Sequence, residues 1–324
     1  MNFWRLTAKR IGYGLLLLVA VLVLNFILMS LAPGDIADTI AGEMGGANET
    51  MLAEIRASYG LDQPFHIQLW RYLSKVAVLD LGFSYFYNTP VITLILEKLP
   101  ATLLLVFSAQ ILAITIGIIL GVIAAKKPNG FFSLVVTLLS LFGFAAPVFW
   151  TGILLIILFV SIFPIFPIGG LMDVTLDGSW WQHVLDVLYH LTLPMITLAS
   201  IFIALYSRLA RASMLEVLGA DYIRTARAKG VPERSVLYRH ALRNAMTPVV
   251  TVAGLQFSAV ISGAVVVETV FSWPGLGSLA LHAIVARDTP TIMGILFFSS
   301  LVVVVFNILT DVIVRLLDPR IKSG

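Results

Sequence analysis

Tyr206-Ser-Arg-Leu-Ala-Arg211, Asp221-Tyr-Ile-Arg-Thr-Ala-Arg-Ala-Lys-Gly230 and Val231-Pro-Glu-Arg-Ser-Val-Leu-Tyr-Arg-His-Ala-Leu-Arg-Asn244 are three pieces of one polar passage between two strongly apolar ones. From Arg208 to Arg243 it holds eight basic residues against three acidic ones. Such a charge density has no place in hydrocarbon, so the passage is a loop between membrane spans. Tyr222, Ile223 and Ala226 recur at spacings of three and four, which predicts a helix from about Ala220 to Lys229 with a narrow apolar stripe beside Arg224 and Arg227. Gly230 ends that helix as a left-handed cap. Pro232 suits the first turn of a second helix, where its missing amide hydrogen is not needed, and Arg239 and Arg243 stand one turn apart on it. Two short helices joined at a glycine make an angled docking element. A protein partner and an anionic lipid surface are both compatible with its charge.

Beyond the loop, 59% of the residues are hydrophobic and only 12% charged, with a mean hydropathy of +0.97. A soluble core of this length could not bury so much apolar surface, and the chain reads as an integral membrane protein. The net charge of +3 does not imply a nucleic-acid partner. Without cysteine there is no disulfide, thiolate nucleophile or thiolate-bound metal.

A membrane-crossing helix needs about 20 apolar residues, and six stretches qualify: Ile11 to Leu31, read as a retained span; Leu99 to Ala125; Phe131 to Phe163; Leu191 to Leu209; Val249 to Val270; and Ile292 to Val314. The third would be roughly 50 Å long if wholly helical. Part of it therefore tilts or lies at the interface, with Pro147 as the break. The prediction is an all-α, polytopic bundle of six transmembrane helices. With both termini and the basic loop on the inner side, inner segments hold 16 basic and 5 acidic residues and outer segments 5 and 13. The positive-inside rule then makes both termini cytoplasmic. Between Ala32 and Lys98, amphipathic helices are expected from Glu49 to Tyr59 and around Phe65 to Val78. The chain divides into a first segment, 1–98, comprising a span and an extracytoplasmic helical segment, and a core of five spans, 99–324, with the cytoplasmic loop at about 212–246.

Enzymatic chemistry lacks support: there is no P-loop, no His-Glu-x-x-His and no Gly-x-Ser-x-Gly. The five histidines are scattered, so no metal site is expected. Glu268 and Asp311 sit near span ends, and span centres carry Asn25, Gln110, Gln256 and Asn307, a pattern poor in the midplane carboxylates expected of an ion-coupled carrier. Asn25, Gln110 and Asn307 suit interhelical hydrogen bonds. In the fifth span, Gly254, Gln256, Ser258, Ser262, Gly263 and Ala264 form a small, polar side suited either to lining a pathway or to close packing. Gln256, Ser258, Ser262 and Glu268 are the pathway candidates.

In order, Pro33-Gly-Asp35, Tyr59-Gly-Leu-Asp-Gln-Pro64, Asp80-Leu-Gly-Phe-Ser84, Leu99-Pro-Ala-Thr102, Pro147-Val-Phe-Trp150, Tyr222 to Gly230, His240-Ala-Leu-Arg-Asn-Ala245, Phe271-Ser-Trp-Pro-Gly-Leu-Gly277, Arg287-Asp-Thr-Pro290 and Asp318-Pro-Arg320 resemble the permease subunits of bacterial ABC importers of the dipeptide, oligopeptide and nickel type. The resemblance implies a type I importer permease fold in the bacterial inner membrane, forming half of a translocation pathway beside a second permease. It implies two cytoplasmic ATPase subunits or domains, which would hold ATP and Mg, and an extracytoplasmic substrate-binding protein. It also implies that Tyr222, Ile223, Arg224, Thr225, Ala226, Arg227, Lys229 and Gly230 belong to the EAA-type coupling loop seated on the ATPase. Here Arg224-Thr-Ala226 stands where the general motif has Glu-Ala-Ala, and His240-Ala-Leu-Arg-Asn replaces its Ile-x-Leu-Pro ending. Peptides are the expected cargo; nickel chelates, glutathione and other small solutes are alternatives, and a self-sufficient carrier or channel is the rival reading.

Overall fold

The computed structural model describes residues 3–31, 49–60 and 62–317. The motifs Pro33-Gly-Asp35 and Asp318-Pro-Arg320 lie outside the described residues. The regular elements of the described residues are all helices apart from one two-residue antiparallel pairing. Its elements are α1 (Phe3–Leu31), α2 (Glu49–Tyr59), α3 (Phe65–Ala77), β1 (Phe83–Ser84), β2 (Thr89–Pro90), α4 (Val91–Lys126), α5 (Phe131–Ala145), α6 (Val148–Ile162), α7 (Trp180–Leu218), α8 (Asp221–Ala228), α9 (Glu233–Leu255), α10 (Phe257–Val270), α11 (Leu276–Val285) and α12 (Thr289–Leu317).

Among the described residues, Ala8–Leu31, α4, α7 and Thr289–Thr310 are long and apolar enough to cross a membrane unbroken. Two further spans are bent pairs: α5 with α6, at 106°, and α9 with α10, at 54°. Counting each pair once gives the six spans expected. The first bend falls at Ala146 and Pro147, where proline removes an amide donor and holds its predecessor extended, at ψ 128°. The second, at Gln256, corrects the reading of Val249 to Val270 as one unbroken run. The fourth span is also longer than its apolar stretch. Ser179 and Gln182 form a capping box that starts α7 eleven residues before Leu191, and the helix runs on through Arg208 and Arg211 to Leu218. Hydropathy marks only the part in lipid. Pro232 is the residue before α9 rather than in its first turn, and a π-helical turn over Val236–Ala241 interrupts that helix.

The chain forms two compact units. One comprises Asn2–Pro100 and Gly275–Ile308. Its core joins Leu22, Val76, Val91, Ile95, Leu276, Leu279 and Phe298, and α11, which the sequence reading missed, supplies part of it. The other comprises Ala101–Pro274 and Leu309–Gly324. There α4 and α7 meet through glycine: a Cβ at Gly121 would lie 2.6 Å from that of Ala210 and 2.7 Å from the Ser207 carbonyl oxygen. Backbones this close are the usual device where no hydrophobic force drives helices together. Ser207 also shares a 2.8 Å hydrogen bond with Ser140 of α5.

Candidate functional site

At one end of the larger unit, α8 projects a charged face while its apolar stripe is sunk in the chain. Ile223 is fully buried among Val122 and Ala125 of α4, Met214 of α7, and Val236, Leu237, Ala241 and Ala245 of α9. Ala226 and Val231 pack against the same cluster. The helix closes with both hydrogen bonds of a Schellman motif, Val231 N–H to the Ala226 carbonyl at 3.2 Å and Gly230 N–H to that of Arg227 at 2.9 Å. Gly230 has φ +76°, the left-handed conformation expected of it.

The other candidates of this loop separate into two kinds. Arg227 is engaged within the chain, its guanidinium donating to both Glu233 oxygens at 3.1 and 2.7 Å and so stapling α8 to α9. Tyr222 is half exposed, and its hydroxyl accepts from Asn244 Nδ2 at 2.8 Å. Arg224, Thr225 and Lys229 are exposed, with Arg224 3.6 Å from a still more exposed Asp221. A surface pair of that kind leaves the arginine available.

The pathway candidates lie on and around α10. Ser262 is exposed and Ser258 half-buried, on a helix whose opposite side buries Phe257, Val260, Ala264 and Val267, and Gln256, also half-buried, is the residue at the bend before it. Glu268 belongs to the buried side and is wholly inaccessible, accepting from Thr102 Oγ1 at 2.6 Å. Five residues on, past the end of α10, Trp273, also wholly buried, donates its indole N–H to the Ala101 carbonyl at 2.9 Å. The chain from Glu268 to Trp273 therefore grips α4 at two successive residues just after Pro100.

Gln110 of α4 has a role that its position as a polar residue in a span signalled only in kind. Its amide nitrogen donates at 2.9 Å both to the Tyr206 hydroxyl on α7 and to the Ala253 carbonyl in the last turn of α9. That carbonyl lies immediately before the bend at Gln256, where a helix presents acceptors without a continuing turn to meet them. In the smaller unit Asp288, 3% exposed, accepts from Ser84 Oγ at 2.5 Å and Thr291 Oγ1 at 2.6 Å, fastening the β1 turn to the start of α12. Between α6 and α7, hydrogen bonds from Thr175 hold the Asp173 carboxyl below the usual carboxylate range.

Residues 117–323 match the family described as binding-protein-dependent transport system inner membrane component, and residues 3–106 match its N-terminal companion model. The chain belongs to this family. It is a multi-pass permease component of an ABC importer. It is 41% identical over 317 residues to a peptide transport system permease protein of Brucella abortus, covering 98% of each chain. To a D,D-dipeptide transport system permease protein of Escherichia coli it is 38% identical, covering 100% of this chain and 99% of that one. To an oligopeptide transport system permease protein of Bacillus subtilis it is 39% identical, covering 94% and 95%. A chain of the MetNI methionine ABC transporter in an inward-facing conformation shares the fold, with a TM-score of 0.51 and 17% identity over 71% of this permease and 98% of that chain.

Proposed function

We propose that this permease supplies half of the pathway for di- or oligopeptides in an ATP-driven importer, beside a second permease of similar kind. Two cytoplasmic ATPase subunits or domains bind ATP and Mg and hydrolyse the nucleotide, and an extracytoplasmic binding protein delivers the cargo. Both termini and the loop at about 212–246 face the cytoplasm, a reading supported by the distribution of basic residues. The division into 1–98 and 99–324 separates the extracytoplasmic segment from the helices that carry the pathway.

The observation that carries this reading is the construction of α8. A helix with Ile223 buried among three other helices and Tyr222, Arg224, Thr225 and Lys229 facing outward can receive a push on one side and deliver it on the other. ATPase closure moves α8, the cluster around Ile223 passes the motion to α4, α7 and α9, and the side of α10 bearing Ser258 and Ser262, with Gln256 at the bend before it, changes its access. The relatives named as peptide permeases support the choice of cargo.

The test is uptake by the reconstituted complex. Labelled dipeptide should accumulate only with binding protein and ATP, and disabling the ATPase Walker lysine should abolish it. Accumulation driven by this chain alone in liposomes would overturn the reading in favour of a carrier.

A further inference from the structure

Beside α8 lies a cavity of about 670 Å³ lined by Lys126, Lys127, Leu218, Arg227, Glu233, Arg234, Leu237 and Tyr238. Its one carboxylate is engaged by Arg227, leaving Lys126, Lys127 and Arg234 as the uncompensated charges. Among the described residues Lys127 and Arg234 meet no carboxylate within ion-pair range. Lys126 Nζ donates to the Tyr238 hydroxyl at 3.2 Å and stands 5.3 Å from the centre of its ring. Three ammonium or guanidinium groups gathered around a hollow form a receptor for a phosphate oxyanion.

The remaining walls and the level of the cavity decide where that phosphate comes from. Leu218, Leu237 and the half-exposed Tyr238 ring give it an apolar side. Lys126 and Lys127 follow directly on the apolar run of α4, and the next helix opens with Phe131 and Phe132, 74% and 70% exposed. A turn with lysines on one flank and exposed phenylalanines on the other suits the headgroup level of a bilayer. We infer that this cavity binds the phosphodiester headgroup of an anionic phospholipid of the cytoplasmic leaflet, with Lys127 and Arg234 as the principal contacts. Because Arg227 and Glu233 form one wall, an occupied site braces the staple between α8 and α9. The inference rests on the cavity and on the proposed orientation with this end in the cytoplasm, and not on the ATPase-coupling reading.

Phosphatidylglycerol is the probe, titrated against delipidated full-length protein in neutral detergent and counted by native mass spectrometry. The double variant Lys127→Gln/Arg234→Gln should weaken its binding roughly tenfold, and added salt should weaken binding to the parent. Arg239→Gln/Arg243→Gln removes the same charge from the same loop outside the cavity and should leave affinity within about threefold. Gel filtration of both variants checks that they remain folded. Equal loss in the two variants would reduce the effect to diffuse surface charge and overturn the site. Displacement of the lipid by inorganic phosphate at matched concentration would assign the cavity to a soluble phosphate and overturn the lipid. Unchanged lipid binding with loss of ATPase co-purification in the first variant would make these residues a protein contact, which also sinks the proposal.

Discussion

The two bent spans reach similar outcomes by different physics. Between α5 and α6 the chain turns through 106° at Pro147, whose ring forbids continuation of the helix without help from elsewhere. Between α9 and α10 it turns through 54° at Gln256, with no proline at the bend. Pro248 lies within α9, in its stretch Leu242–Leu255, which is continuous α-helix through the proline. The second bend is stabilised from outside: Gln110 donates to the Ala253 carbonyl and ties it to Tyr206 of α7. A bend made by a ring is permanent, whereas one held by a side chain on another helix can be released when that helix moves. The difference matters because the releasable bend lies beside the pathway candidates Ser258 and Ser262.

Gln110→Leu should have the largest effect on this contrast. It leaves the Tyr206 hydroxyl and the Ala253 carbonyl without the amide in a buried setting, at about 1–3 kcal/mol each. The thermal midpoint in detergent should fall markedly and uptake should be lost; wild-type values for both would mean that the bend does not depend on this amide. Gly230→Val comes next, since a β-branched residue at φ +76° costs about 1–2 kcal/mol. ATP hydrolysis by the complex should persist while uptake falls, and normal uptake would count against the glycine turn as the joint.

A smaller change is expected from Pro147→Ala, on the order of 1 kcal/mol in stability. Its sharper readout is geometric: spin labels at Leu138 and Ile153 should show a longer or broader distance distribution as the 106° bend relaxes. Gln256→Ala should do least. If the clamp acts on the Ala253 carbonyl, labels flanking Gln256 should keep their distance, and a straightened helix would show that the bend belongs to residue 256 itself.

The same distinction explains what could be read from the sequence. Gly230 and Pro147 were legible because glycine and proline carry their conformational consequences in their own covalent structure. The six spans and the face of α8 were legible because hydropathy and helical periodicity are local. The bend at Gln256 was not, because its support comes from α4 and α7, distant in sequence. Glu268 shows the same limit at a candidate site: its position in α10 marked it for the pathway side, and only the approach of Thr102 reveals a carboxylate turned inward. Asp288 passed as one letter of a motif until Ser84 and Thr291 were seen to converge on it.

The contact of Gly121 with Ala210 has a mechanical side. Backbones pressed this closely cannot roll over one another, so the portions of α4 and α7 on either side of it behave as a single stiff beam. With 39 residues, α7 is about 58 Å long. If the helix moves as one body through Pro194, each degree of tilt imposed near Met214 sweeps the tip at Trp180, about 51 Å away, through about 0.9 Å. Under the proposed coupling role, a few degrees delivered through Ile223 would displace the far end by the width of a small side chain, a stroke of α8 far shorter than the thickness of a membrane.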